Sequence, residues 1–258
     1  MDKTLLKGLH VLELLVQDPG EHALAALAKQ LDVPKSNIHR TLQTLVAAGY
    51  AVSATKGSYK PTMKLWSLGN VVAGRQSVRK IAQPVLGELS ALTGESILLA
   101  VMDGLDVIII DKVEPRQPVG TLTKMGERLP GYCTGIGKGL FAFVDAEILA
   151  LFPTTLHGYT SRTITTRRAL LQEFATTRAR GYSINTGEYN LDVGGVAAPI
   201  YDSTGEVCAS VSISAPSSRL TREVIETYAG YVQRASRTLS EQLGWRAQPA
   251  HAAVRARG

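Results

Sequence analysis

The sequence has little of what defines several large protein classes. Only two of its 258 residues are cysteines, Cys133 and Cys208. Their number and separation argue against a zinc cluster and a disulfide-stabilised secreted fold, so we expect both thiols to be reduced. The longest apolar runs, such as 97–102 and 107–110, fall short of the roughly 18–20 residues that span a bilayer. We therefore expect no membrane span.

Signatures of common enzymes are also missing. The sequence has no Gly-x-Ser-x-Gly or His-Glu-x-x-His motif, and its five histidines are scattered. Residues 135–139 resemble a phosphate-binding loop, but that motif needs glycine at 132 and Ser or Thr at 139, where this chain has Tyr132 and Gly139. We expect no catalytic residues, cofactor or metal. An enzyme that acts on a small acid, with the helical N-terminal region serving only dimerisation, is the alternative.

Acidic residues are scarce near the N-terminus, and this sets the charge balance of the chain. The sequence has 28 Lys and Arg against 22 Asp and Glu, a net charge of +6. Residues 1–80 carry 11 basic and five acidic residues, whereas residues 81–258 carry 17 of each. This predicts an anion-binding first module and a second module with another task. Charges interrupt the apolar pattern of the first 15 residues, unlike a signal peptide, so we expect a cytoplasmic protein.

Three short helices are predicted in the first module. Apolar residues recur every three or four positions over 5–16 and again over 23–31. A third helix, from Pro34 to about Ala48, is apolar on one face and polar on the other. A predicted β-hairpin over 50–61 completes a winged helix-turn-helix, whose second helix presents polar residues to the major groove. A helical hairpin with a merely solvated polar face is the alternative.

The polar face and the hairpin carry side chains suited to nucleic acid. Arginine favours guanine and asparagine favours adenine, while lysines contact phosphates and hold the register without reading sequence. Gln43 and Thr44 lie further along the helix than the other candidates, and Lys64 is a further phosphate candidate. The predicted DNA-binding residues are Lys35, Ser36, Asn37, His39, Arg40, Gln43, Thr44, Lys56 and Lys60. For His39 a solvent-facing role is the alternative, and a winged helix can also serve as a protein or RNA interaction module.

The rest of the chain predicts an α+β domain with a mostly antiparallel sheet. Two successive helices are expected over 62–93, and a long amphipathic helix over 219–243. Strands are expected near 96–102, 107–113, 121–124, 182–184, 195–201 and 206–214, with helices near 135–144 and 165–180.

Two stretches of this domain suggest contact with a small molecule. Glycines at 135, 137 and 139 begin a predicted helix, where backbone N–H groups bind carboxylates and glycine allows close approach. A tight packing turn explains these glycines equally well. Ser212 and Ser214 share one face of a predicted strand and suit a small polar ligand. Cross-strand hydrogen bonds or solvent exposure explain the serines equally well.

Over nearly its whole length the chain resembles the IclR-type bacterial transcription regulators. Each matching stretch is weak alone, but their order and spacing together are specific. The stretches are GLHVLEL at 8–14, LAALA at 24–28, VPKSNIHRTL at 33–42, TGIGKG at 134–139, RGY at 180–182, AAPI at 197–200 and SISAP at 212–216. The resemblance implies a winged-helix DNA-binding domain at 1–62, a linker helix at 63–77 and a GAF-like effector-binding and oligomerisation domain at 78–244. The Ala- and Arg-rich composition of the last residues predicts a flexible tail at 245–258.

The resemblance also implies partners and a ligand site. Family members form homodimers, often paired into tetramers, that bind palindromic double-stranded operators, commonly as repressors, and take a small organic acid as effector. The implied effector-binding residues are Gly135, Ile136, Asn185, Gly195, Ser212 and Ser214. Some relatives have an acidic residue where this chain has Asn185, a departure that argues against a ligand hydroxyl or water contact there. Some have a larger residue where this chain has Gly195, so we expect a larger pocket and an effector bulkier than a two-carbon acid, such as an aromatic or sugar acid. Whether the effector promotes or relieves operator binding stays open.

Overall fold

The computed structural model describes residues 1–17, 20–74, 77–118, 120, 121 and 123–246, without the side chains of 17, 56, 70–74 and 77. The chain divides into two compact units, 1–75 and 76–258. Of the predicted tail, residues 247–258 lie outside the described residues. Trp245 belongs to the second unit, because its ring stacks on Tyr201 with 5.4 Å between ring centroids.

The first unit is a winged helix-turn-helix, as the sequence predicted. Its elements are α1 (Lys3–Gln17), β1 (His22–Ala23), α2 (Leu24–Gln30), α3 (Lys35–Ala47), β2 (Ala51–Ser53), β3 (Ser58–Pro61) and α4 (Met63–Gly74). Val11 and Leu15 of α1 pack with Leu27 of α2 and with Ile38 and Leu42 of α3, all fully or almost fully buried. The recurring apolar positions therefore form the core of the three-helix unit.

The turn between α2 and α3 depends on one unusual backbone conformation. Asp32 has a φ of 51°, in the left-handed region that non-glycine residues seldom adopt. The next N–H, of Val33, donates to the Ala28 carbonyl at 3.1 Å, which closes the C-terminal end of α2. Pro34 follows with a φ of −54° and precedes the first residue of α3. These three residues set the angle between the two helices.

The wing has a strand that the sequence did not predict. In the described residues β1 pairs with β3, and β3 with β2, in a three-stranded antiparallel sheet. The two residues of β1 are too few to show an alternating pattern, so only the pairing reveals the strand. The wing is therefore anchored to the segment that leads into α2.

The second unit is built on a six-stranded antiparallel sheet in the order β6-β5-β4-β9-β8-β7. Its elements are α5 (Ser77–Thr93), β4 (Ser96–Asp103), β5 (Asp106–Val113), β6 (Arg128–Pro130), α6 (Gly135–Phe141), α7 (Ala146–Ala150), α8 (Arg167–Arg180), β7 (Ser183–Thr186), β8 (Val193–Tyr201), β9 (Val207–Pro216) and α9 (Arg222–Gln242). The predicted strand at 121–124 was wrong: the described residues of that stretch lie outside the sheet.

Alternation along the strands gives the sheet two different faces. Ile97, Leu99 and Val211 face α5 and α9 in one apolar core. Leu98 and Ala100 face the opposite way, into a second core formed with α6, α7 and α8. Because neighbouring residues of a strand point to opposite faces, the two cores are interleaved in sequence.

Candidate functional site

The polar candidates of α3 form one continuous exposed face. Lys35, His39 and Gln43 are spaced four residues apart along one row, and Ser36, Arg40 and Thr44 form the row beside it. All six are exposed, and Asn37 at the edge of this face is half-buried. A helix with such a face fits the B-DNA major groove, which is about 12 Å wide.

Hydrogen bonds join the far end of this face to the wing. Gln43 Nε2 donates to the hydroxyl oxygen of Tyr59 at 3.3 Å and lies 3.5 Å from His39 Nε2. On the residue before Tyr59, the Ser58 hydroxyl donates to Glu21 Oε2 at 2.5 Å. Gln43 therefore orients the wing relative to α3, a role that the sequence did not reveal.

The predicted phosphate-contacting lysines differ in their surroundings. Lys60 is exposed on β3, whereas the Lys56 side chain lies outside the described part of the chain. Lys64 Nζ donates to the Ala48 carbonyl at 2.7 Å and lies 4.3 Å from the centre of the Tyr50 ring. This places the lysine charge at the C-terminal end of α3, where it stabilises the helix dipole.

A cavity in the second unit collects the other candidate residues. It has a volume of about 220 Å³ and lies between the start of α6, the strands β7, β8 and β9, and the segment before β6. The predicted residues Gly135, Ile136, Asn185, Gly195, Ser212 and Ser214 all line it. The other lining residues are Leu98, Thr121, Thr123, Glu127, Leu129, Thr134, Tyr189, Asn190, Val193 and Gly194.

The two serines present their hydroxyl groups to the cavity side of the sheet. Val211 and Ile213 pack into the core on the opposite face, so alternation turns Ser212 and Ser214 toward α6. They are 3% and 8% exposed, and neither hydroxyl has a hydrogen bond to another described residue. Cross-strand hydrogen bonding of these hydroxyls, the alternative considered from sequence, does not occur among the described residues. Both groups are available to a ligand.

Asn185 is already engaged in holding the cavity wall. Its Nδ2 donates to the Cys133 carbonyl at 2.6 Å, and its Oδ1 accepts from the N–H groups of Gly187 and Glu188 at 2.9 and 3.2 Å. The amide oxygen has therefore filled both of its acceptor positions. In this arrangement Asn185 fastens the loop before α6 to the loop after β7, with one N–H left for a ligand.

Beneath the start of α6 lies a buried ion pair that the sequence did not indicate. Lys138 is 1% exposed, and its Nζ lies 2.5 Å from Glu188 Oε1 and 3.3 Å from Glu173 Oε1. Burial raises the pKa of the Glu188 carboxyl above its ordinary value, and Lys138 opposes that shift. The pair ties α6 to the loop that carries Tyr189 and Asn190, so it supports two walls of the cavity.

Each of the two units matches a domain of a known protein family. Residues 4–54 match the IclR helix-turn-helix domain, and residues 71–241 match the C-terminal domain of bacterial transcriptional regulators of the IclR type. The chain belongs to the IclR family. The protein is therefore a transcriptional regulator with a helix-turn-helix DNA-binding domain.

Individual relatives cover nearly the whole chain. The transcriptional regulator XynR of Escherichia coli K12 is 32% identical over 246 residues, which are 93% of this chain and 96% of XynR. The acetate operon repressor of Salmonella typhimurium is 31% identical over 94% of this chain and 90% of its own length. These relatives are named regulators and repressors, which favours regulation over the enzyme alternative.

Solved structures show the same fold. The IclR protein of Thermotoga maritima matches with a TM-score of 0.79 and 31% identity, over 94% of this chain and 99% of that one. An IclR homologue of Microbacterium hydrocarbonoxydans, crystallised with 4-hydroxybenzoate, matches with a TM-score of 0.80 and 24% identity, over 93% and 99% of the two chains. Within the described part of our structure, no helix is both long and apolar enough to cross a membrane.

Proposed function

We propose that this regulator is a cytoplasmic repressor that reads its operator through α3 and releases or retains it according to a small acid bound in the cavity. The observation that supports DNA binding is the exposed face of α3, which is formed by two adjacent rows of polar side chains. Arg40 and Asn37 are assigned to base edges, with Ser36 and His39 beside them, because their planar or short polar groups match base-edge donors and acceptors. Lys35 and Lys60 are assigned to phosphates.

Operator binding by variants of this face tests the assignment. Replacing Arg40 by alanine is expected to weaken binding to the operator about 10-fold or more and to relax selectivity at one base pair. Replacing Lys60 is expected to weaken operator and random DNA alike and to reduce the salt dependence. Arg168→Ala, an exposed arginine of α8 in the other unit, is the matched control. Equal loss on operator and random DNA for Arg40→Ala would contradict base reading.

The cavity carries the effector half of the proposal. Its volume of about 220 Å³ exceeds the roughly 150 Å³ of an engineered cavity that holds benzene. It therefore has room for a ring or a chain of five or six carbons, which supports an effector larger than a two-carbon acid. The structural relative crystallised with 4-hydroxybenzoate is consistent with this size. We propose that the Ser212 and Ser214 hydroxyls form hydrogen bonds with polar groups of the effector.

Ser212→Ala tests this site, because it removes one free hydroxyl and leaves the strand intact. We expect calorimetry to show at least a fivefold loss of effector affinity, with operator binding of the free protein unchanged. Ser161→Ala, an exposed serine of the same unit, is the control. Unchanged effector affinity in Ser212→Ala would remove this serine from the site.

We further propose that the protein acts as a homodimer. Exposed apolar side chains lie on α1 and on α4 of the first unit, including Leu5 and Leu9 on the former and Met63 and Trp66 on the latter. Apolar groups clustered on a surface in this way favour a covered interface. Sedimentation of the wild type and of Trp66→Glu tests this proposal and separates dimer from tetramer; a wild-type monomer would refute it.

A dimer gives the effector a route to the DNA. Two recognition helices must match half-sites about 34 Å or a multiple apart, and an effector that favours one arrangement of the dimer shifts that spacing. A coupling of about 1–3 kcal/mol would change operator affinity roughly 5–150-fold. Footprinting with and without effector measures the coupling and its sign.

A further inference from the structure

We infer that the cavity accepts an effector with one negative charge and rejects dicarboxylates, and that Glu127 is the residue that enforces this selection. The inference rests on the proposed effector function of the cavity. It adds the charge class of the effector and a specificity-determining residue outside the six that the sequence indicated.

The charge of the cavity lining is the first observation. Among the described lining residues there is no lysine, arginine or histidine, and Glu127 is the single carboxylate. Hydroxyl and amide groups supply the remaining polarity, chiefly Ser212, Ser214, Thr134 and Asn190. Neutral donors can bind one carboxylate group, as at other anion sites built from hydroxyl and N–H groups. A second carboxylate would meet Glu127 with no cation in the described lining to offset the repulsion.

Glu127 lines the cavity, and hydrogen bonds within the turn at 124–127 hold its side chain and backbone in place. Glu127 Oε2 accepts from the Lys124 N–H at 2.6 Å, and the Glu127 N–H donates to the Lys124 carbonyl at 3.2 Å. The Ile109 N–H donates to the Glu127 carbonyl at 3.0 Å, which fastens the turn to β5. Glu127 is half-buried, so its charge is only partly screened by solvent.

Two basic side chains close to this turn form ion pairs away from Glu127. Arg128 Nε and Nη2 lie 2.9 and 2.8 Å from carboxylate oxygens of Asp106 and Asp103. Lys112 Nζ lies 2.7 Å from Glu114 and donates to the Thr123 carbonyl at 2.5 Å. Neither of these cations, nor Lys124 of the turn itself, is among the described residues that line the cavity, so no lining cation offsets the charge of Glu127. Like charges brought together in a partly desolvated site repel each other.

Paired ligands that differ in one end group test the inference on the full-length protein. Calorimetry would compare gluconate with glucarate, 4-hydroxybenzoate with terephthalate, and unbranched mono- and dicarboxylates of two to six carbons. We expect the wild type to prefer the monocarboxylate of each bound pair at least 10-fold. Glu127→Gln keeps an acceptor for the Lys124 N–H and removes the charge, so we expect it to reduce that preference about 10-fold, equivalent to about 1.4 kcal/mol. Affinity for the monocarboxylate should stay within about twofold.

Controls and failures separate the two proposals. Glu147→Gln, an exposed acid on α7, should keep the wild-type preference. Equal wild-type affinity for both members of a bound pair, or an unchanged preference in Glu127→Gln, overturns the inference and leaves the effector function standing. If the wild type binds its operator but no acid of either series, the effector proposal fails, and this inference fails with it.

Discussion

Replacing Lys138 by methionine is the sharpest test of how the cavity walls are held together. Methionine retains an unbranched apolar side chain but removes the charge that lies 2.5 Å from Glu188 and 3.3 Å from Glu173. Glu173 is partly exposed and keeps its ion pair with Arg180 at 3.0 Å. The removal of Lys138 should therefore destabilise the Glu173 carboxylate only slightly. Glu188 is 8% exposed, and its Oε2 is buried without a hydrogen-bond partner among the described residues. Most of the stability lost in Lys138→Met should therefore come from the buried Glu188 carboxyl.

The magnitude follows from the protonation of that carboxyl. Burial already raises the pKa of Glu188, and without Lys138 the folded protein should hold it protonated. Relative to an unfolded carboxyl with a pKa of about 4.3, this costs about 3.7 kcal/mol at pH 7 and about 1 kcal/mol at pH 5. A pKa raised by folding favours the folded state at low pH, and that contribution is lost as the pH rises. The result at pH 7 agrees with the roughly 3–5 kcal/mol lost when one partner of a buried pair is removed.

Urea unfolding at pH 7 and pH 5 measures this difference. Trp245 stacks on Tyr201, so its fluorescence reports on unfolding of the second unit. The reference protein and Lys138→Met would both carry Trp66→Phe, because Trp66 is the other tryptophan of the sequence. Lys138→Met combined with Glu188→Gln removes both charges and should recover most of the loss at pH 7. A loss below about 1 kcal/mol at pH 7, or a loss that does not shrink toward pH 5, would refute the reasoning.

Three further predictions concern single residues. Asp32→Gly should stabilise the first unit by about 0.5–1 kcal/mol, because glycine adopts the positive φ without strain; thermal unfolding measures this, and a loss of stability would contradict it. Gly131→Ala should destabilise the second unit by at least about 1–3 kcal/mol, because the new Cβ would lie 2.2 Å from a Phe141 ring carbon; an unchanged unfolding midpoint would contradict the contact. Burial raises the pKa of Cys133 to about 12 and that of Cys208 to about 11, so neither thiol should react quickly with iodoacetamide at pH 8 until the protein is unfolded; rapid labelling of the folded protein would refute this.

Much of the DNA-binding unit could be predicted from sequence because its signals are local. The period of apolar residues defines the buried side of α3, and the polar side follows without knowledge of any other element. Lys64 and Gln43 show the limit of this approach. Each is polar and near the predicted DNA face, yet Lys64 contacts the end of α3 and Gln43 contacts the wing. Side-chain partners distant in sequence decide such roles.

The cavity proposed to bind the effector could be predicted from sequence to a smaller extent, because distant segments form it. Residues 135, 185, 195 and 214 are far apart in sequence and meet because β8 lies between β7 and β9, with α6 packed against these strands. Family resemblance indicated six of the lining residues, but Glu127 follows a stretch wrongly predicted as a strand. Its position at the cavity comes from a turn anchored to β5, which has no distinctive sequence pattern.

The charge asymmetry shows the same division between sequence and fold. The sequence alone determined that the basic excess lies in the first 80 residues, that a helix with a polar face follows a tight turn, and that Ser212 and Ser214 share a strand face. Tertiary structure decided which charged side chains form ion pairs within the protein. Arg79 lies 3.6 Å from Asp111, and Lys138 is buried against two glutamates. The physical reason is that periodicity reports local burial, whereas the partner of a charge depends on how distant segments pack.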